Sequence, residues 1–402
     1  MGEAEPGVSQ PLPLEGIRIL SSEAYGAGPY GTMFLAQLGA EVIKIEPPQG
    51  GDSARGTGPF FAGPDDSLFH QTFNLNKRSI TLDLRAPDGQ EIFHRLVRTA
   101  DAVTNNARGD QPAKLGLTYD ALRHVNPAIV CVHASAYGRG TPREAWPGYD
   151  YLMQAEAGFM AVTGEPGTPP TRFGLSMVDF MTGSMLATAT LAGLMGARAT
   201  GTGRDLDLSL LDAALHQTSY PATWYLNEGH IIERMPRSAH PSVVPSQSFP
   251  TKDGHIFVMA QIPKFWTLLV QAIGAPHLAE DARYRTVADR FANRDALIAE
   301  LDAIFAARTS DEWIGLLGGK VPVAKVSDLP QALDSPHVAG MIDSVDHPHR
   351  PGMRVLANPI KVDGRRLPNR PGPALGGDTD ALLAEIGYGA DDAARLRENG
   401  IV

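Results

Sequence analysis

The chain has 402 residues, 43% of them hydrophobic, enough for two domains with sizeable cores. A formal charge of −10 argues against a nucleic-acid partner or an anionic membrane surface. The single cysteine, Cys131, excludes a disulfide framework and a thiolate metal site, and its apolar surroundings predict a buried strand thiol.

Met1 to Gln10 is polar and acidic, without the basic and apolar regions of a secretory signal, so a cytoplasmic location is expected. Met1 to Pro13 reads as a loose tail. Ile17-Arg18-Ile19-Leu20 predicts a short strand, followed by the turn Tyr25-Gly26-Ala27-Gly28-Pro29 and a helix from about Pro29 that Gly39 ends. Glu41 to Glu46 is the next strand, which completes a βαβ unit. The unit repeats. Ile80, Leu82 and Leu84 alternate as a strand, and Ile92, Phe93, Leu96 and Val97 stripe one helix face. Ala102 to Thr104 and Ile129 to Ala134 are further strands. Alternating strand and helix predicts α/β architecture, a Rossmann-like, doubly wound parallel sheet.

From Ser184 to Ala199 the chain is apolar, rich in small residues and uncharged until Arg198. At about sixteen residues it is too short to span a bilayer and reads as a buried helix, with no membrane partner. The only charge near its start is Asp179. That carboxylate reads either as a helix N-cap or as a nucleophile kept ionised by the unpaired N–H groups of the helix start. Nothing inside the stretch decides between them.

Beyond it, Asp207 to Asp212 opens a helix running towards Glu228, and Pro236 to Pro250 reads as a long loop or an interdomain crossing. A hairpin-like strand at His255 to Val258 and helices around Leu297–Phe305 and Trp313–Leu317 predict a smaller α+β domain. The expected division is 1–230 for the N-terminal part of a large domain, 231–326 for the small one, and 327–402 for a return to the first. The return is Pro-rich and extended from about Asp346 and ends in two short helices.

Gly26, Gly28 and Gly31 match the spacing of a dinucleotide fingerprint, but Pro29 removes a backbone N–H that would face a pyrophosphate. There is no P-loop, nucleophile elbow or zinc helix. His347 and His349 alone pair at metal spacing, in a Pro-rich segment read as surface, so no metal is expected. Arg55, Lys77, Arg78, Asn106, Arg108 and Lys114 follow or precede strands, where the carboxyl ends of a doubly wound sheet line a ligand crevice. Each is ordinary solvated surface or part of a site for an anionic nucleotide.

The order of these pieces resembles one family, the family III CoA transferases, which also include the 2-methylacyl-CoA racemases. The resemblance is carried by Leu14 to Leu20, Ala27-Gly28-Pro29, Leu38 to Glu46, Gly51-Asp52 with Arg55-Gly56, and Asn76 to Ile80. It continues through Pro147-Gly148-Tyr149-Asp150, Thr163 to Pro166, Asp179 to Gly183, Gly201 to Arg204, Ser209 to Ala213 and Leu375 to Asp380. The resemblance implies an interlocked homodimer, each chain with a large Rossmann-like domain built from both chain ends and a small middle domain. It places Asp179 as the catalytic aspartate. It places CoA contacts at Gly26, Ala27, Leu82, Asp83, Leu84, Arg85, Asn106, Ala107, Arg108, Lys114, Ser135, Ala136, Tyr137 and Gly138, with Tyr149 and Asp150 in the substrate pocket. The chain departs from many relatives with Asn105-Asn106-Ala107 where they carry Glu-Asn-Phe, with Pro47 after the Ile-Glu pair, and in lacking a glycine-rich loop between His230 and Thr251.

The implied activity is transfer of CoA from an acyl-CoA donor to a free carboxylic acid through an aspartyl mixed anhydride and an aspartyl-CoA thioester. No cofactor is required beyond the CoA thioester as substrate. The alternative is 2-methylacyl-CoA racemisation, and the non-enzymatic alternative an acyl-CoA-binding protein. Racemisation needs two acid–base groups flanking one carbon. The racemase branch carries histidine in a Gly-His-Asp run where this chain has Gly148-Tyr149-Asp150, and a tyrosine pKa of about 10 is too high for a base at neutral pH.

Overall fold

A computed structural model describes residues 11–402, so most of the tail expected over Met1 to Pro13 lies outside the described residues. The chain divides into two compact units. The first comprises Met1–Ala157, Phe173–Ser219 and Gly340–Val402, and the second Gly158–Arg172 and Tyr220–Ala339. The first unit therefore holds both the first and the last of the described residues. The second takes in the excursion 158–172, which the sequence reading left in the large domain, and extends further than 231–326 at both ends.

The first unit is built on a six-stranded sheet in the order β5-β2-β1-β6-β7-β8, with every neighbouring pair parallel. Its strands are β1 (Arg18–Ser22), β2 (Glu41–Glu46), β5 (Arg78–Thr81), β6 (Ala102–Asn105), β7 (Val130–Ser135) and β8 (Arg204–Ser209). Between β2 and β5 lies a small antiparallel pair, β3 (Phe61–Gly63) and β4 (Asp66–Ser67). Strand alternation sends successive side chains to opposite faces. Leu20, Ile43, Val103 and Cys131 enter one core with Ile92, Phe93, Leu96, Leu382 and Leu396. Ile19, Val42, Ala102, Val130 and Val132 enter another with Leu35, Leu186 and Leu194. Both faces are covered, as expected of a doubly wound sheet. Cys131 is fully buried, and burial pushes its thiol well above the usual range.

Three elements depart from the sequence reading. Asp207 to Ser209 belong to β8, not to a helix; the helix starts at Leu210, where the Ser209 hydroxyl accepts the Asp212 N–H at 3.0 Å. The strand expected to reach Leu84 ends at Thr81, because the Asp83 carbonyl accepts the Ala86 N–H in a turn, and Leu82 and Leu84 reach the core from that loop. The apolar helix runs from Met177 to Thr200, 24 residues rather than about sixteen. It is long and apolar enough to cross a bilayer, but it lies along β7 and the Ala27–Gln37 helix with Leu186, Leu194 and Ala197 in the core.

The return segment is less extended than expected. It opens with an antiparallel hairpin, β12 (Ile342–His347) and β13 (Arg350–Leu356). His347 is buried, not on the surface: its Nε2 stands 2.8 Å from Asp66 Oδ2, while Asp66 Oδ1 lies 3.3 Å from His70 Nδ1. Among the described residues no group of three or more His, Cys, Asp or Glu side chains is arranged to hold a metal.

The second unit carries an antiparallel sheet β11-β10-β9, with β9 (Ser246–Pro250), β10 (His255–Met259) and β11 (Val323–Lys325). The end of the segment read as a loop is thus strand β9, paired with β10. Phe249, Ile256, Trp266, Leu297, Phe305 and Trp313 pack beside that sheet.

Candidate functional site

Strand order reverses between β1 and β6, and an open α/β sheet leaves a crevice at the carboxyl ends of the strands there. A cleft of about 670 Å³ occupies that place, within the usual range for small-molecule sites. Of the residues expected to contact ligand, Gly26, Ala27, Asn106, Ala107, Arg108, Ala136, Tyr149 and Asp179 line it. Asp150 sits directly behind Asp179. Leu82, Asp83, Leu84, Arg85, Lys114, Ser135, Tyr137 and Gly138 are not among the lining residues. Leu82 and Leu84 are core side chains, the Ser135 hydroxyl accepts the Gly138 N–H, and the Tyr137 hydroxyl donates to Glu156.

Asp179 is brought to the cleft by a close helix contact at two glycines, with the Tyr30 and Phe180 rings packed 4.8 Å apart beside them. A Cβ on Gly31 would meet the Gly183 carbonyl oxygen at 2.3 Å, and one on Gly183 would meet the Ala27 carbonyl oxygen at 2.6 Å. The two helices therefore touch backbone to backbone, and the start of the Ala27–Gln37 helix is pressed against the first turn of the Met177–Thr200 helix. Gly26, the residue before the first of these helices, lies against the Asp179 carboxyl: a Cβ there would meet Oδ2 at 2.4 Å.

The geometry separates the two readings of Asp179. Ser176 is the N-cap residue, and Asp179 stands three positions into the helix. The otherwise orphaned Asp179 N–H is satisfied by Asp150 Oδ2 at 3.0 Å. Capping from outside thus falls to Asp150, whose other oxygen accepts from Gln154 Nε2 at 2.6 Å. Among the described residues the Asp179 carboxyl accepts no hydrogen bond and is left facing the cleft. Burial, and then the charge of Asp150, raise it from 3.8 to about 7.

That shift has a stability consequence. The folded state holds a proton on Asp179 that the unfolded chain has lost between pH 3.8 and about 7, so this group's contribution falls as pH rises through that window and stays low above it. Asp179→Asn removes the penalty. Because solvent reaches the cleft, the gain is on the order of 2 kcal/mol rather than the full shift. Thermal melts of the variant and parent are expected to coincide near pH 4 and to separate at pH 8, with the variant higher.

Beneath the cleft lies a buried ionic floor that no local pattern announced. Lys77 Nζ bonds Glu23 Oε1 at 2.6 Å, Lys44 Nζ bonds Asp52 Oδ2 at 2.8 Å, and Arg55 bonds both oxygens of Glu46 at 2.8 and 2.6 Å. Three acids meet three bases. Burial alone would raise Glu46, but the Arg55 hydrogen bonds with the Lys44 and Arg55 charges hold it at about 2. The sequence reading that offered Arg55, Lys77 and Arg78 to an anionic nucleotide is corrected accordingly. Arg55 and Lys77 are buried in these pairs, and Arg78 is tied to Glu41, Asp378 and Glu385. Arg108 and Lys114 remain largely exposed, both bonded to Asp110. The Asn106 amide is also committed, accepting the Ala24 N–H at 2.9 Å and donating to the Ala24 carbonyl at 2.7 Å, so it braces the turn before Gly26.

Comparison with known proteins identifies the family. The model of CoA-transferase family III matches residues 14–379. The chain is 34% identical to an acyl-CoA transferase of Fusarium pseudograminearum, covering 97% of this chain and 88% of the relative. It is 32% identical to a succinate–glutarate CoA-transferase of Agrobacterium fabrum, covering 93% and 96%. The crystal structure of a CAIB/BAIF family protein from Brucella suis superposes with a TM-score of 0.81 at 30% identity, over 94% of this chain and all of the other. The chain belongs to CoA-transferase family III.

Proposed function

We propose that the chain transfers CoA from an acyl-CoA donor to a free carboxylic acid, with Asp179 as the covalent nucleophile. The observation that carries this reading is a carboxyl group facing the cleft with its backbone capped by another residue and no hydrogen bond on its oxygens among the described residues. An Asp179 oxygen adds to the thioester carbonyl, and the tetrahedral adduct expels CoA thiolate to leave a mixed anhydride. The thiolate attacks the aspartyl carbonyl, releasing the donor acid and leaving an aspartyl-CoA thioester. The acceptor carboxylate attacks that thioester to form a second anhydride, whose acceptor carbonyl the thiolate then takes, restoring Asp179. No net proton is moved. The Ala27 and Gly28 N–H groups, in a helix first turn without intrahelical acceptors, are the donors we assign to the oxyanion.

Transfer is favoured over racemisation because, among the described residues, no histidine lines the cleft, and Tyr149 stands where the racemase branch carries histidine. Incubation with a chiral 2-methylacyl-CoA in deuterated water without an acceptor acid is expected to leave the α-proton in place. Rapid deuterium incorporation lost in Tyr149→Phe would replace the transfer reading by racemisation. Failure of an acyl-CoA and acid panel to yield any new CoA ester, with CoA still bound, would leave the binding-protein reading.

The proposal includes the interlocked homodimer that the resemblance implies, supported by the presence of the first and the last described residues in one unit. Sedimentation at micromolar concentration is expected to give twice the 43.0 kDa chain mass, and a monomer would refute it.

A further inference from the structure

We propose that the acyl group handled at this site is uncharged beyond its reacting carbonyl, an aliphatic or aromatic monocarboxylic acid rather than a dicarboxylate, and that Tyr25 and Tyr149 select it; the proposal rests on the transfer reading. The first observation is the charge distribution of the cleft. Asp179 has Gly26 against its Oδ2 and Asp150 at its N–H, and among the described residues the neighbouring charge that acts on it is that of Asp150. Arg108 is the one cation among the lining residues, and its Nε and Nη2 donate to Asp110 at 3.1 and 3.2 Å. Glu23 and Asp52, the other lining carboxylates, are closed by Lys77 and Lys44. A second carboxylate on the acyl group would thus enter beside two aspartates, where among the described residues of this chain the one lining cation, Arg108, is already paired with Asp110. An unpaired charge in such a place is costly, and the like charges add to the cost.

The second observation is what stands there instead. The Tyr25 and Tyr149 rings meet edge to face with centroids 6.3 Å apart, and Phe69 backs Tyr25 at 5.1 Å. Both tyrosines line the cleft and are exposed, Tyr149 by 65%. Tyr25 is held at φ 69°, a left-handed conformation unusual for a bulky residue. Its N–H is gripped by the Asp52 carboxylate at 3.1 and 3.3 Å, and Asp52 is itself fixed by Lys44. Strain maintained by buried contacts at a cleft marks a placed side chain. The placed surface is aromatic, and an alkyl or aryl group would cover it.

The test uses two unreactive CoA thioethers of matched length, S-butyl-CoA and S-(3-carboxypropyl)-CoA, titrated calorimetrically into the wild-type protein at pH 8. S-butyl-CoA is expected to bind at least tenfold more tightly, and Tyr149→Arg is expected to narrow or reverse the ratio. Equal or tighter binding of the carboxypropyl thioether to wild type would overturn the proposal. A parallel assay compares butyryl-CoA and succinyl-CoA as donors to acetate. No turnover of either, with the binding preference intact, would sink the transfer reading and leave the acyl preference standing. Preferred binding and turnover of succinyl-CoA would do the opposite.

Discussion

Asp179→Ala is expected to lower transfer by about 10⁴-fold or more, the range seen when the nucleophile of a covalent mechanism is removed. The fold should survive, because the side chain that caps the helix start is Asp150, on the Asp179 N–H, rather than the Asp179 carboxyl. CoA binding is expected to survive as well, since Ala27, Ala107 and Arg108, the cleft residues that the resemblance gives to CoA, make no hydrogen bond to that side chain among the described residues. Intact-mass analysis of wild type with acyl-CoA is expected to trap an aspartyl-CoA adduct that the variant lacks. In the wild type the free-enzyme kcat/KM should rise with pH through about 7, because the carboxyl must lose its proton to attack. Turnover of Asp179→Ala within a few-fold of wild type would remove the residue from the chemistry.

Lys77→Met is expected to destabilise the protein by about 3–5 kcal/mol, read as a fall in the denaturant midpoint. The substitution leaves Glu23 fully buried, with Ser21 and Thr32 hydroxyls on its oxygens but its bonded cation gone. Burial works against the charge on both partners: it pulls Lys77 down to about 8, even with Glu23 beside it. Adding Glu23→Gln to Lys77→Met should recover most of the loss, since replacing both members of a buried pair is far less harmful than orphaning one. A single-variant loss below about 1 kcal/mol would mean that Glu23 takes up a proton in place of its partner.

The sheet was legible where residues alternate or run apolar. β2 was read to the residue, and β1, β6 and β7 within a residue or two at each end. β8 was not, because Arg204, Asp205 and Asp207 interrupt the apolar pattern, so the helix reads as opening at Asp207 instead of after its N-cap Ser209. Asp179 stood out by being the only charge at the head of an apolar helix, but its neighbours were hidden. Asp150 reaches it across 29 positions and Lys77 reaches Glu23 across 54, and pairings at such separations leave no periodic trace. Exposure misled in the same way. Arg55 and His347 carry the chemistry of surface residues, yet each is buried by a carboxylate supplied from elsewhere in the chain.

The contact between Gly31 and Gly183 bears on how such an enzyme changes its diet. Where the two helices meet at these glycines, main chain touches main chain and no rotamer can lengthen or shorten that gap, so Asp179 is held in place near the head of its helix. Tyr25 and Tyr149 lie outside both of these helices. On the proposals made above, substrate preference and bond-making would be separately heritable: drift at the tyrosines would retune which acid is accepted, whereas a side chain at either glycine would displace Asp179.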